Sequence, residues 1–243
     1  MATKIKKFTE ISVDPECEPN PIWQIRAINS DECLSYVAWN TATKEAVLID
    51  PKRNDVEAYR TLAKELSGYL WIAVIDTHTH ADHISIAADF ARELSVPLVM
   101  HASSPSQRVT MRVTQKTHLA THSGDLIFIP TPGHTQDAMC VLWGPFLFTG
   151  DTLLFGDTGR DDLPGGDATA HFESIEILKK IATPKMMVLP GHDQKGGRAS
   201  SWGMQLKVNP SLTQERESFI QEAGAYSGPA PQFLKESLKE NFK

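Results

Sequence analysis

The feature that most constrains this chain is a dense group of metal-type ligands. Within a single stretch of six residues the sequence places three imidazoles and one carboxylate, at His78, His80, Asp82 and His83. An apolar run, Trp71–Ile75, precedes the group and is typical of a buried parallel strand. Imidazole nitrogen and carboxylate oxygen are ligands of borderline divalent metals, and a buried strand end holds them toward one point. The sequence therefore predicts a metal site.

Three further polar residues occupy the same kind of place in the second half of the chain. His134, Asp151 and His192 each follow an apolar run and are each preceded directly by glycine. Because glycine lets the backbone turn sharply, the next side chain can project from a strand end into a shared cleft. We therefore predict one seven-residue candidate set that includes the four earlier ligands.

Length and composition bound the architecture. The chain has 243 residues, of which 41% are hydrophobic and 22% charged, which is enough to bury one large core. We expect a single domain over residues 1–243, with its core at about 22–225 and a C-terminal tail at 226–243. Apolar periodicity predicts a mixed α/β fold that opens with three strands.

Local patterns predict where the site residues lie. The stripe from Ile84 to Leu94 predicts a helix whose first turn includes Asp82 and His83. A single strand is expected over 141–148, and Asp167 is a candidate N-cap for a helix over 167–182. Residues 101–125 carry no pattern that predicts a structure.

Charge and cysteine content exclude several classes of function. The 24 basic and 30 acidic side chains give a net charge of −6 without a basic block, which disfavours a nucleic-acid surface. Cys17, Cys33 and Cys140 are odd in number and widely spaced, so they indicate neither a disulfide framework nor a zinc ribbon. No apolar segment approaches a membrane span, and the N-terminus lacks a signal-like core. We expect a cytoplasmic protein.

Four isolated histidines and one cysteine are predicted to have structural rather than functional roles. His101, His118, His122 and His171 are isolated histidines, and we expect them to be structural rather than ligands. Cys140 is predicted to be a small core residue.

The ordered motifs resemble those of the metallo-β-lactamase superfamily over about residues 25–225. The resemblance implies a four-layer αββα sandwich with the site at one edge of the sheets. It also implies two metal positions that share a bridging carboxylate. The matching residues are His78, His80 and His134 for the first metal, Asp82, His83 and His192 for the second, and Asp151 as the bridge.

Shorter motifs are similar to those of persulfide dioxygenases. The segments are 159–163, 192–194 and 209–212, where that family usually shows Gly-Arg-Thr-Asp-Phe, His-Asp-Tyr and Asn-Pro-Arg-Leu. This chain departs from the pattern at Asp161, Leu163, Gln194 and Ser211. Gln194 stands where the family has a tyrosine that lines the site, so we predict that it contacts substrate. Arg160 either binds a substrate carboxylate or pairs with a neighbouring aspartate.

The resemblance implies one of two enzymes that act on a small thiol-derived substrate. A dioxygenase would oxidise a glutathione-like persulfide with O₂ to sulfite and thiol, using one Fe(II) per chain held by His78, His134 and Asp151. Asp82 would assist catalysis from beside the metal. The alternative resembles glyoxalase II, which hydrolyses glutathione thioesters with two zinc ions or a mixed zinc and iron pair. All seven residues would then be ligands. A homodimer is possible under either reading.

Overall fold

The computed structural model describes residues 21–30, 32–193, 200–226 and 228–243. Two six-stranded sheets form its centre, in the spatial orders β1-β2-β3-β4-β5-β6 and β12-β11-β10-β9-β8-β7. The first sheet comprises β1 Trp23–Ser30, β2 Cys33–Asn40, β3 Glu45–Ile49, β4 Leu70–Ile75, β5 Leu98–His101 and β6 Met111–Val113. The second comprises β7 Thr117–Leu119, β8 Leu126–Pro130, β9 Met139–Trp143, β10 Phe146–Gly150, β11 Met187–Pro190 and β12 Ser200–Ser201.

Six helices lie among these strands in the described residues: α1 Val56–Glu65, α2 Ala87–Leu94, α3 Ala168–Ile181, α4 Trp202–Val208, α5 Arg216–Ala225 and α6 Leu234–Asn241. Strands β1–β3 and β7–β10 each pair antiparallel with the next strand along the chain, with no helix between them. The pairing becomes parallel where a helix crosses over, as between β3, β4 and β5 and between β10 and β11.

Three buried clusters separate the layers. The first fills the space between the sheets, where Tyr36 meets Phe148 with ring centroids 5.6 Å apart. The second packs α1 and α2 on the outer face of the first sheet through Tyr59 and Phe90. The third packs α3, α4 and α5 on the second sheet and includes Trp202. This is a four-layer αββα arrangement, and the prediction of the fold is confirmed.

The prediction for residues 81–86 was wrong. Helix α2 begins at Ala87 rather than around Asp82. Ile84 and Ile86 instead exchange backbone hydrogen bonds with the segment after β3, because the amide of Arg53 donates to Ile84 O and that of Ile86 to Pro51 O. These bonds hold the segment extended, so Asp82 lies in an irregular loop.

The predicted strand over 141–148 is a hairpin. Gly144 has φ 57°, a left-handed conformation that permits the tight turn between β9 and β10. Residues 101–125 contain the edge strands β6 and β7, one in each sheet. Asp167 caps α3 as predicted, since its side chain accepts from the amides of Thr169 and Ala170.

The expected tail contains helix α6, in which Ser237 and Asn241 are buried. In the described part of the chain, no helix has the length and apolar character needed to cross a bilayer.

One buried carboxylate ties the two sheets together. Glu45 at the start of β3 is 1% exposed and accepts from the amides of His122 at 2.9 Å and Ser123 at 2.7 Å, in the turn before β8. The Ser123 hydroxyl donates a further bond at 2.5 Å. Burial raises the pKa of Glu45, but the donors from Ser123 and His122 outweigh it and lower the pKa overall.

Replacing Glu45 by Gln should therefore destabilise the protein by about 1.5–3 kcal/mol at neutral pH, the range for hydrogen bonds to a charged group. Because the folded pKa lies below the unfolded one, this stabilisation is present above the unfolded value and is lost as pH falls through the folded value. Urea unfolding of both proteins at several pH values measures the difference. Glu57→Gln, at an exposed position on α1, is the control. A difference that does not shrink in acid would contradict this account.

Candidate metal centre

Strand ends place the candidate ligands at one edge of the molecule. His78 follows β4, His134 follows β8, Asp151 follows β10 and His192 follows β11. Gly150 has φ 49° and packs its Cα against Thr77, where an added Cβ would lie 2.5 Å from the hydroxyl oxygen. The sharp turn before Asp151 therefore requires glycine.

Two imidazoles and one carboxylate form one group of candidate ligands. Asp151 Oδ2 lies 3.5 Å from His134 Nε2 and 3.9 Å from His78 Nε2. The two rings are nearly perpendicular, at 87°, with centroids 5.0 Å apart. One ligand atom from each of the three buried residues lies within 4.8 Å of the others. A single ion could contact all three, and we call these residues the triad.

The second nitrogen of each triad imidazole has a partner that orients the ring. Nδ1 of His134 donates to the carbonyl oxygen of Arg160 at 2.6 Å. Nδ1 of His78 lies 3.0 Å from the hydroxyl of Thr77, whose own proton goes to Asp50. Both arrangements leave the Nε2 lone pair for a ligand, as outer partners do for metal-bound histidines.

His80 faces a different group of carboxylates. Its Nε2 lies 3.2 Å from Asp50 Oδ1 and 4.0 Å from Asp76 Oδ1. Its Nδ1 is buried without a hydrogen-bond partner among the described residues. Asp50 also accepts from the amide and hydroxyl of Thr77, so it positions both His78 and His80. The sequence analysis missed Asp50 because Asp50-Pro51 also fits a simple strand end.

The remaining predicted ligands form a second cluster around Asp82. Its Oδ2 accepts from Cys33 Sγ at 2.9 Å and lies 3.0 Å from His83 Nδ1 and 3.2 Å from His192 Nε2. The other nitrogen of His192 lies 2.8 Å from Asp151 Oδ1, which joins this cluster to the triad. Cys33 belongs to no motif and only the fold brings it here.

The environment shifts several pKa values. Burial would raise the pKa of Asp151, but His192, His134 and His78 outweigh it and hold the pKa well below the usual range. Burial, reinforced by His80, keeps the pKa of His78 well below its ordinary value. The same two causes lower the pKa of His83 to about 4. The triad therefore offers a carboxylate and a neutral imidazole at His78, which are the forms that bind a metal.

A cleft of about 440 Å³ opens above the triad. Asp82, His134, Asp151 and His192 lie at its base. The walls come from the β10–α3 connection, from the α4–α5 connection, from α5 and from the segment after α5. They include Phe155, Phe219, Tyr226 and three of the departures from the family pattern, Asp161, Leu163 and Ser211. A mixed apolar and polar cleft of this size accommodates a small molecule.

Arg160 lines this cleft, but its guanidinium is already engaged. Nε and Nη2 donate to the two carboxylate oxygens of Asp162 at 2.6 and 2.7 Å. Nη1 and Nη2 also donate to the carbonyl oxygens of Pro229 and Gly228, and the group stacks on Tyr226 at 4.8 Å. This arrangement favours the aspartate-pair alternative over the predicted grip on a substrate carboxylate.

The other expectations have mixed outcomes. His171 is fully buried and bonds Asp161 at 2.6 Å, which accounts for the aspartate at that departure from the family pattern. His118 pairs with Asp125 at the surface. Cys140 is buried in the core, as predicted. Gln194 and Cys17 lie outside the described residues.

Comparison with known proteins agrees with this geometry. The sequence model of the metallo-beta-lactamase superfamily matches residues 113–192, which include two of the triad residues. A crystal structure of ETHE1 from Myxococcus xanthus superposes with a TM-score of 0.81 at 29% identity, over 90% of this chain and 98% of that one. The chain carries a metallo-beta-lactamase superfamily domain.

Other relatives also match most of the length of this chain. Human "Persulfide dioxygenase ETHE1, mitochondrial" is 28% identical over 221 residues, which cover 86% of this chain and 83% of that protein. A metallo-beta-lactamase structure from Staphylococcus aureus gives a TM-score of 0.79 at 25% identity, over 90% of this chain and 72% of that one. The superfamily and the grouped ligands together support a metal cofactor.

Gly159 gives a direct test of how the site is held. An added Cβ would lie 2.3 Å from Asp151 O and 2.9 Å from His134 Nδ1. Gly159→Ala must displace the 159–161 segment, whose Arg160 carbonyl orients His134. We expect metal affinity to fall about 10- to 100-fold, as for the loss of other outer-sphere partners. Competition with a chelator measures it.

Gly68→Ala is the matched control, since its added Cβ meets no atom within 4 Å. Equal metal affinity in the two variants would contradict the assigned role of Gly159.

Proposed function

We propose that this protein is an Fe(II)-dependent persulfide dioxygenase. The observation that carries the proposal is the separation of the seven candidate ligands into groups. By distance, three groups among the described residues could each hold one ion: His78, His134 and Asp151; Cys33, Asp82 and His83; and Asp50, Asp76 and His80. Of these groups, the first is the one that consists of two histidines and one carboxylate. Two histidines and one carboxylate on one face are the arrangement typical of non-haem Fe(II) oxygenases.

The comparisons support the same reaction class. Several relatives named as persulfide dioxygenases are 28–29% identical over 86% of this chain. We propose the balanced reaction RSSH + O₂ + H₂O → RSH + H₂SO₃, in which the terminal sulfur is oxidised and O₂ is reduced. The thiol carrier is proposed to be glutathione-like.

Three groups of the chain's own residues would each have a task. His78, His134 and Asp151 would hold the metal, which when bound supplies redox chemistry and open coordination positions. Phe155, Phe219 and Tyr226 would cover the carrier and limit access of water. Asp82 would stay ionised, because His83 and His192 hold its pKa well below the usual value against the effect of burial. It would assist from the base of the cleft by orienting these two imidazoles and by placing a negative charge beside the metal.

Metal analysis tests the proposal first. Protein purified without added metal should contain close to one iron per chain. His134→Ala should abolish iron binding, because it removes one of three ligands, whereas His83→Ala should leave most of the iron in place. His118→Ala, on the exposed face of β7, is the control. Two zinc ions per chain at full occupancy would reject the mononuclear reading.

Oxygen uptake tests the reaction itself. With glutathione persulfide, dissolved O₂ should fall in step with substrate while sulfite appears. We also expect the reaction to be faster in Gln194→Tyr, because a phenol exchanges protons and an amide does not. Full-rate thioester hydrolysis under nitrogen, with no O₂ uptake on persulfide, would overturn the proposal.

A thioester hydrolase with a dinuclear site is the second candidate. The observation that favours it is the state of two other imidazoles: His80 Nδ1 and His83 Nε2 are buried without hydrogen-bond partners among the described residues. Unpaired buried nitrogens are costly unless a ligand such as a metal ion satisfies them. S-lactoylglutathione would be the test substrate.

Arg160→Ala distinguishes two ways of affecting substrate binding. If Arg160 mainly holds the segment 226–229 against the cleft, the change should loosen Tyr226 and raise KM severalfold with little change in kcat. Asp162→Asn, which weakens the ion pair but leaves the guanidinium free, should act in the same direction. A lower KM in Asp162→Asn would instead indicate that Arg160, once released, binds substrate carboxylate.

We further propose that the protein is a single-domain cytoplasmic enzyme that acts on a small molecule and has no nucleic-acid or membrane partner. We also propose that it forms a homodimer, which light scattering would measure. The human relative is named as mitochondrial, so localisation requires its own experiment.

A further inference from the structure

The C-terminal helix reaches the ligand loop from the far end of the sequence. Asn241, the last residue of α6, is 8% exposed and lies beside residues 80–85, although about 160 positions separate them in sequence. Ser237, one turn earlier, is fully buried. Helix α6 is therefore docked along this side of the molecule rather than projecting as a tail.

Asn241 uses its whole amide on this loop. Nδ2 donates to the carbonyl oxygens of His80 and His83, both at 2.9 Å. Oδ1 accepts from the backbone amide of Ser85 at 3.0 Å. The side chain thus satisfies two backbone acceptors and one donor, and asparagine is suited to this because its amide carries both kinds of group.

These bonds act where the loop has little regular structure of its own. Residues 76–83 belong to neither a helix nor a strand. The first part of the loop is fixed from within the sandwich, because Asp50 and Asp137 accept from the amides of Thr77 and Thr79. The second part turns between His80 and His83, and Asn241 bridges the carbonyl groups at its two ends.

We propose that Asn241 is a positioning residue of the metal centre. By clamping the turn from His80 to His83, it fixes the direction of Asp82 toward His192 and restrains His78 two residues earlier. Helix α6 thereby becomes part of the metal-binding apparatus. The proposal does not depend on which reaction the enzyme catalyses.

Two substitutions on the full chain separate positioning from general stability. Asn241→Asp has the same shape and keeps an acceptor for Ser85, but it sets a carboxylate oxygen against two carbonyl oxygens. Asn241→Ala removes all three bonds. Glu240→Gln, next to it on the helix surface, is the control.

We expect the affinity for Zn²⁺ and for Fe²⁺, each measured by chelator competition on folded protein, to fall about tenfold or more in both Asn241 variants and to stay unchanged in Glu240→Gln. The fall in Asn241→Asp is the sharper result. Added negative charge near the site would by itself strengthen cation binding, so weaker binding must come from displaced ligands. Affinities within twofold of the control in both variants would overturn the proposal.

Hydrogen exchange of the unmodified protein gives a second test that needs no folded variant. If Asn241 holds the loop, the amide of Ser85 and that of Phe242, which follows α6 and donates to Leu238 O, should exchange with similar protection, because undocking of α6 exposes both. Protection of the Ser85 amide far greater than that of the Phe242 amide would overturn the proposal. Because neither measurement follows turnover, a failed dioxygenase assay would leave this test intact.

Discussion

The buried carboxylate of Asp50 is the contact on which the arrangement of the centre depends. It ends β3 in a left-handed conformation, with φ 50°, which aspartate tolerates better than most residues. From there it accepts from the amide and hydroxyl of Thr77 and lies 3.2 Å from His80. The Thr77 hydroxyl in turn faces His78. One carboxylate thereby fixes the rotamers of the first two candidate ligands before any metal is bound.

Two groups of candidate ligands lie next to these residues. His78 joins His134 and Asp151, while Asp82 gathers Cys33, His83 and His192. A residue of the second group, His192, contacts a carboxylate of the first. Of the groups of described residues whose ligand atoms all lie within 4.8 Å of one another, the triad is the one with two histidines and one carboxylate. This composition is the basis on which a mononuclear site is proposed.

The outer parts of the chain close the site by backbone contacts. The carbonyl of Arg160 orients His134, and the guanidinium of the same residue fastens the segment after α5 against the cleft. Asn241, at the end of helix α6, contacts the ligand loop through its side chain. The cleft and the loop are thus both contacted by parts of one C-terminal segment.

The sequence by itself determined the ligand types, their order and the mixed α/β fold, because closely spaced histidines and glycine-preceded polar residues are local signals. It also predicted the Asp167 cap, which depends only on adjacent residues. It failed at Asp82, where pairing with the segment after β3 overrides a helical apolar stripe. Only the tertiary structure decided which candidate ligands lie close enough to share one ion, and that Arg160 pairs with Asp162. The contacts of Asp50, Cys33 and Asn241 also came only from the fold, because contacts between distant residues leave no pattern along a chain.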